Sequence, residues 1–442
     1  MTLKKLLWPA FCGMMALTVA CSSDSTTANP SNGGEGEGGS TTPTESPVAL
    51  SPSANMQVVA DKYASWLKGH FVSMKDEAAY YTEWAADFPT IFGNYDPVGR
   101  VIWSAQANQA SCKVPETTIS QMKFRGCTVS EGTGYGMLIA YFQGDEQVFK
   151  SLWNYSRGFR SYFGVDLTPW ITSSFRLKSV DNSSATDADL DIATSLILMH
   201  YKTGAQEYLD DALKIANAIW NTEIEQSSLL ILSGNTSMWQ SNPTFNLSYF
   251  SPVAIRLFAK VDPNHNWNGV LDAMYAYMKK VQEGGTGVFP DWSDASGVAK
   301  NPPNNSATNS YWLFDKESVR IPWRIAWDYY WFQDERAKAI LDKLNSFITT
   351  KSGGDPSNVA ALSTSYSWNT SVGADGEARN LIPSQWLAAW CATGISGNAD
   401  WLSKCTDAVN GTSLSNSSTS YFTDILLMMY SQLLNGAYVR PF

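Results

Sequence analysis

From Met56 to the C-terminus the sequence repeats one arrangement: an apolar stripe at helical spacing, a short polar link, and another apolar stripe. Met56, Val59, Tyr63, Trp66 and Leu67 share one helical face; Leu209, Ala212, Leu213, Ala216, Ile219 and Trp220 share a second; Ala337, Ile340, Leu341, Leu344 and Ile348 share a third. Links such as FQGDEQ at 142–147 and KTGAQE at 202–207 join successive helices into helix–turn–helix pairs, and the series continues to YFTDILLMMYSQLLNG near the C-terminus. Clean period-two alternation is scarce. So long a series of helical hairpins can bury its stripes as an open solenoid or as a closed ring. No internal repeat of constant period is visible, which disfavours the solenoid and leaves a closed all-α barrel.

Charge and composition narrow the partners. A net charge of −10, with no basic cluster beyond the first few residues, argues against nucleic acid, because phosphate binding needs Lys and Arg to displace counterions. The 18 Trp, 20 Tyr and 19 Phe exceed what a core alone normally needs. Flat apolar faces with a polar edge suit sugar rings, and a Trp-rich core is the other use for them.

The start of the chain reads as an export signal. MTLKK is basic, LLWPAFCGMMALTVA is apolar, and small residues precede Cys21. The ending LTVAC is similar to a bacterial lipobox, which makes residues 1–21 a signal peptide and Cys21 a lipidated N-terminus; ordinary secretory cleavage nearby is the alternative. Either way the mature protein leaves the cytoplasm, as a bacterial lipoprotein at the cell envelope or as a secreted protein, touching a membrane only through a lipid anchor. Residues 22–54, rich in Ser, Thr, Gly, Pro and Glu, read as a flexible tether, and 55–442 as one folded domain, expected to be a monomer. In an oxidising compartment Cys112 with Cys127, and Cys391 with Cys405, form two candidate local disulfides.

Three histidines leave little scope for His-based catalysis or a His-rich metal site, and no glycine-rich phosphate loop stands out. No metal or organic cofactor is expected, so the chemistry belongs to carboxylates. TVSEGTGYGMLIA (128–140) places Ser130 as a candidate N-cap, Glu131 in the first helical turn, and Gly132, Gly134 and Gly136 inside the helix. Each glycine costs a helix about 1 kcal/mol relative to alanine, so close approach of a ligand or another helix is implied. DNSSATDADLDIATS (181–195) crowds Asp187, Asp189 and Asp191 at the start of an apolar helix that Thr186 or Asp187 can cap. Crowded carboxylates raise one another's proton affinity, which a proton-donating Glu needs. SYWLFDKESVRIPWRIAWDYYWF (310–332) sets Asp315, Glu317, Arg320 and Arg324 among aromatic residues, and an Arg three residues from a carboxylate holds it ionised, as a base requires.

Together these motifs resemble glycoside hydrolase family 8. ATDADLDIATSL at 185–196 is similar to the family signature and VSEGTGYGMLIA to the segment bearing its acid; NLSYFSP (246–252), VFPDW (288–292) and RIPWRI follow in the family's order. The resemblance spans roughly residues 55–442 and implies an (α/α)6 barrel that hydrolyses a β-1,4-linked polysaccharide with inversion. By position it implies Glu131 as general acid and Asp187 as the carboxylate gripping the central sugar. Trp170, Tyr249 and Trp239 become sugar contacts, and Arg320 matches the arginine after the base.

At the base the sequence departs from the family. Many members have Tyr-Asp about three residues before that arginine, whereas Lys316 and Glu317 stand here. A shift of two residues brings Phe314 and Asp315 into register instead, so Glu317 and Asp315 both remain candidates, with Asp291 or Asp294 next. The reading is an inverting endo-β-1,4-glucanase acting on cellulose or β-glucan. An endo-β-1,4-xylanase or chitosanase of the same family, and a non-catalytic glycan-binding lipoprotein, are its alternatives.

Overall fold

The computed structural model describes residues 46–75, 84–103, 127–173, 178–358, 361–363, 365–376, 384–417 and 419–442. The signal, Cys21, the tether up to residue 45 and Cys112 lie outside the described residues. Fourteen α-helices run through them: α1 (Met56–His70), α2 (Trp84–Phe92), α3 (Ser130–Gln143), α4 (Glu146–Phe163), α5 (Thr186–Thr203), α6 (Gln206–Thr222), α7 (Ser237–Ser241), α8 (Pro252–Val261), α9 (Trp267–Glu283), α10 (Ile321–Phe332), α11 (Glu335–Ser352), α12 (Ser384–Ala392), α13 (Ala399–Asn410) and α14 (Tyr421–Leu434).

Six of these helices close an inner ring: α3 packs on α5, α5 on α8, α8 on α10, α10 on α12, α12 on α14, and α14 returns to α3. An outer helix backs each one, with α4, α6, α9, α11 and α13 following α3, α5, α8, α10 and α12, and α1 backing α14. This is the (α/α)6 barrel that the family resemblance implied, and it is closed, as the hairpin series favoured. Burial separates the rings. Residues 186–199 of α5 are buried without a break, whereas in α6 only Ala212, Ile215, Ala216 and Ile219 are. An inner helix meets neighbours all round, so it carries apolar or small residues on every face; an outer helix needs one stripe. Leu196, fully buried on α5, illustrates the energetics: truncation to Ala there would cost about 2–5 kcal/mol.

Small strands set the starts of two inner helices. Strand β1 (Phe71–Ser73) pairs antiparallel with β2 (Gly99–Val101), and the Trp103 amide then donates to the Cys127 carbonyl at 2.9 Å. Beyond it, β3 (Cys127–Val129), β4 (Pro169–Ser173) and β5 (Lys178–Ser184) form an antiparallel sheet, with Val129 opposite Ile171 and Pro169 opposite Ser184. Strand β3 runs straight into α3, and β5 enters α5 after Ala185. The helices themselves approach closely because Gly134 lacks a side chain: a Cβ there would meet the Ala188 carbonyl and the Asp191 Cβ at 3.0 Å. Of the two causes open for these glycines, a neighbouring helix is therefore the one realised at Gly134.

Cys391 and Cys405 are joined, Cα to Cα 5.2 Å, linking α12 to α13. Cys127 is also disulfide-bonded. Part of the segment read as tether is folded: Ser46 Oγ donates to the Tyr330 carbonyl, and Val48 and Leu50 pack against the core. Residues 46–54 thus belong to the folded body, because they carry apolar side chains with a surface to cover. Among the described residues no helix is long and apolar enough to cross a membrane.

Candidate active site

Five inner helices begin at one cleft of about 370 Å³, which Glu131 of α3, Asp187 of α5, Tyr249 just before α8, Arg320 at the start of α10 and Tyr421 of α14 all line. Trp103 beyond β2 and Trp170 on β4 complete an aromatic wall with Phe422. Larger hollows of about 620 and 540 Å³ lie between outer helices, beside Lys279 and Arg157. Chemistry, not size, marks the small cleft.

Arg320 is its hub. The guanidinium is 3% exposed; Nη1 donates to Glu131 Oε2 at 2.5 Å and to Asp187 Oδ2 at 3.0 Å, and Nη2 donates to Glu317 Oε2. A charge buried this far is tolerable only when paired, and here one cation faces three carboxylates. Glu131 also accepts from Tyr421 Oη at 2.8 Å, and Glu317 from Asn246 Nδ2 at 2.7 Å. The surroundings of the two glutamates differ. Burial pushes the Glu131 carboxyl above its usual range, with Glu317 and Asp191 adding to the rise and Arg320 and Tyr421 opposing it. The Glu317 side chain is 30% exposed, against 17% for Glu131, so water reaches it more readily. Burial raises Asp187 to about 7, against the pull of Arg320.

The aspartate cluster does not act as one. Successive helical residues turn by about 100°, so positions two apart face opposite ways. Asp187 faces the cleft. Asp189 points behind it, where its Oδ1 accepts from the Thr168 amide at 2.9 Å, and burial with nearby Glu223 pushes its carboxyl well up. Asp191, one turn deeper, pairs with Arg324, whose Nη2 donates to its Oδ2 at 2.8 Å. Only Asp187 therefore lines the cleft as the crowded motif suggested, although Asp191 still helps to raise Glu131.

Ser130 is the first residue of α3, not its cap: the cap position is Val129, and no side chain closes the helix end. The cap of α5 is Ala185, again without a side-chain bond, while the Ala188 amide donates to Asp187 Oδ1 at 2.9 Å. The base candidates also separate. Glu317 lines the cleft and Asp315 does not. Asp291, 2% exposed, anchors the turn: its Oδ1 accepts from the amides of Asp315, Glu317 and Ser318 and from Ser318 Oγ. Asp294 likewise serves its own loop, accepting from the Ser296 and Val298 amides. Trp239 is 8% exposed, one face stacked on Trp292 at 5.6 Å, and does not line the cleft; a ring already covered by another indole is not an open sugar platform.

Sequence reasoning missed Trp103, Asn246, Tyr421 and Phe422, and gave Lys316 no place in the cleft. Asn246 opens the NLSYFSP motif and Tyr421 opens an aromatic helix start; nothing local ties either to Glu131 or Glu317. Among the described residues no cluster of His, Cys, Asp and Glu is arranged to hold a metal ion.

A family model for the glycosyl hydrolases family 8 matches residues 118–434. A β-glucanase from Niallia circulans is 30% identical over 331 residues, covering 70% of this chain and 77% of that protein. Endoglucanase C from Ruminiclostridium cellulolyticum is 35% identical over 226 residues, 50% of this chain and 47% of that protein, so the chain spans about half that relative's length. Among solved structures, the apo β-1,3-1,4-glucanase from Paenibacillus sp. X4 superposes with a TM-score of 0.70 at 22% identity, covering 90% of this chain and 96% of that one. Rex8A from Paenibacillus barcinonensis, solved with xylose, gives 0.62 at 18%, covering 85% and 98%. Both share the fold.

Proposed function

Because the chain belongs to the glycosyl hydrolases family 8, we propose that it cleaves internal β-1,4 linkages of a glucan in a single displacement that inverts the anomeric carbon. The observation that carries this reading is Arg320, which gathers a half-buried Glu131 and a more open Glu317 on one cleft floor. Glu131, its proton affinity raised by burial, donates its proton to the glycosidic oxygen as the bond to the anomeric carbon breaks. Glu317, positioned by Arg320 and Asn246, takes a proton from a water that attacks the opposite face. Solvent then reverses both proton changes. Asp187, fixed by Arg320, grips hydroxyls of the central sugar, and Trp103, Trp170 and Tyr249 offer ring faces along the cleft.

The names of the relatives, endoglucanase and β-glucanase, favour glucan. Reducing-sugar release from carboxymethylcellulose, xylan and chitosan tests this: fastest release from the glucan supports it, and fastest release from xylan or chitosan replaces it. No release from any of the three makes this a glycan-binding protein. We also propose that Cys21 carries lipid and that residues 22–45 tether a monomeric barrel to the cell envelope. Replacing Cys21 with Ser should move the protein from the membrane to the soluble fraction, and mature wild-type protein that is soluble and begins elsewhere contradicts the anchor.

A further inference from the structure

We propose that Lys316 is a specificity residue that lets the cleft accept a β-1,4-glycan bearing carboxylate substituents. The proposal rests on the glycanase reading above.

Among the described residues the cleft is lined by two cations, Arg320 and Lys316. Arg320 is consumed by the machinery, since its two terminal nitrogens donate to Glu131, Asp187 and Glu317. Lys316 differs in every respect. It is exposed, and among the described residues it makes no hydrogen bond or ion pair. Its backbone is nonetheless held in place, because Asp291 Oδ1 accepts the amides of Asp315, Glu317 and Ser318 on either side of it. A fixed turn therefore carries a long ammonium, unpaired among the described residues, at the lip of the cleft next to the base.

The electrostatics give that ammonium a use. With Glu131 holding its proton, Asp187 and Glu317 still face the single guanidinium, and in a chain of net charge −10 this disfavours an anionic polymer. A neutral glycan gains little from a cation there, whereas a chain carrying uronic acid or another carboxylate gains a partner where it otherwise meets repulsion. The rival role is electrostatic support of the adjacent Glu317, which would act on all substrates alike.

The experiment compares kcat/KM on carboxymethylcellulose and hydroxyethylcellulose, which share a backbone and differ in substituent charge. Lys316→Met should lower the carboxymethyl-to-hydroxyethyl ratio by about fivefold, the scale of an exposed ion pair, and Lys316→Arg should restore most of it. Salt at 0.5 M should narrow the gap between the wild-type and Lys316→Met ratios, because it screens the attraction of Lys316 in the one and the remaining repulsion in the other. An equal fall on both polymers, with the acid limb of the pH profile displaced, assigns Lys316 to Glu317 and overturns the proposal; an unmoved ratio also overturns it. Affinity electrophoresis of the Glu131→Gln protein in gels cast with either polymer separates this from the parent reading. If wild type hydrolyses neither polymer, the glucan reading fails. Retardation selective for the carboxymethyl gel that Lys316→Met abolishes would still support the role of Lys316, and retardation equal in both gels or absent would end it.

Discussion

Inner and outer helices of this barrel begin differently. The outer starts are closed by side chains: Asn55 accepts from the Gln57 amide, Asp145 from Val148, Asn266 from Gly269, Asp334 from Arg336 and Asn398 from Trp401. Five of the six inner starts have a described cap position, at Val129, Ala185, Ser251, Arg320 and Ser420, and none of these makes a side-chain capping bond. Helix α6, capped by Ala205, is the outer exception. A missing cap costs about 1 kcal/mol, so the inner ring forgoes stability at the end where the cleft lies. In return its first turns carry Glu131 and Asp187, whose carboxyls reach Arg320 in the cleft. The outer ring holds the shape, and the inner ring's open ends hold the chemistry.

Substitutions can break this division. Glu131→Gln should lower turnover about 10²–10⁴-fold while oligosaccharide binding persists, measured by initial rates alongside calorimetric titration. Near-normal turnover would mean the inner mouth is not the reactive end. Glu317→Gln should fall comparably and Asp315→Asn by no more than about threefold, because only Glu317 lines the cleft; external azide should partly rescue the Glu317 variant alone. Equal, modest losses from the two would move the base elsewhere. On the outer ring, Asn266→Ala should cost about 1 kcal/mol in urea unfolding and leave kcat/KM intact. A large loss of activity there would erase the distinction between rings. The smallest effect concerns pH. Tyr421 donates to Glu131 and so favours its ionised form. In Tyr421→Phe the Glu131 carboxyl should hold its proton to higher pH, and the basic limb of the rate profile should move up. Movement downward would contradict Glu131 as the proton donor.

The parts of this site legible in the sequence are those fixed within one segment. Glu131 and Asp187 each sit in the first turn of a helix whose apolar run announces it, and Trp170 and Tyr249 sit in short motifs beside them. The ring itself was legible because helical hairpins run through the domain without a repeat of constant period, which favours a closed barrel over a solenoid. What failed depended on three-dimensional direction or distance. Three aspartates two residues apart looked like one acidic mouth, but helical rotation sends Asp189 behind the cleft and Asp191 down to Arg324. Ser130 looked like a cap, but strand β3 runs directly into the helix and moves the cap position to Val129. Trp239 looked like a platform, but Trp292, distant in sequence, covers one of its faces. Tyr421 is 290 residues from Glu131, and no local pattern predicts their bond.

The central claim is that Glu131 and Glu317 act from opposite faces of one sugar in a single step. Proton NMR of a fresh digest of a β-1,4-glucan follows the anomeric signal of the newly released reducing end before mutarotation. The account predicts that the α-anomer appears first and decays toward equilibrium; first appearance of the β-anomer would mean retention through a covalent intermediate, and the assignment of Glu317 as a water-activating base would be wrong.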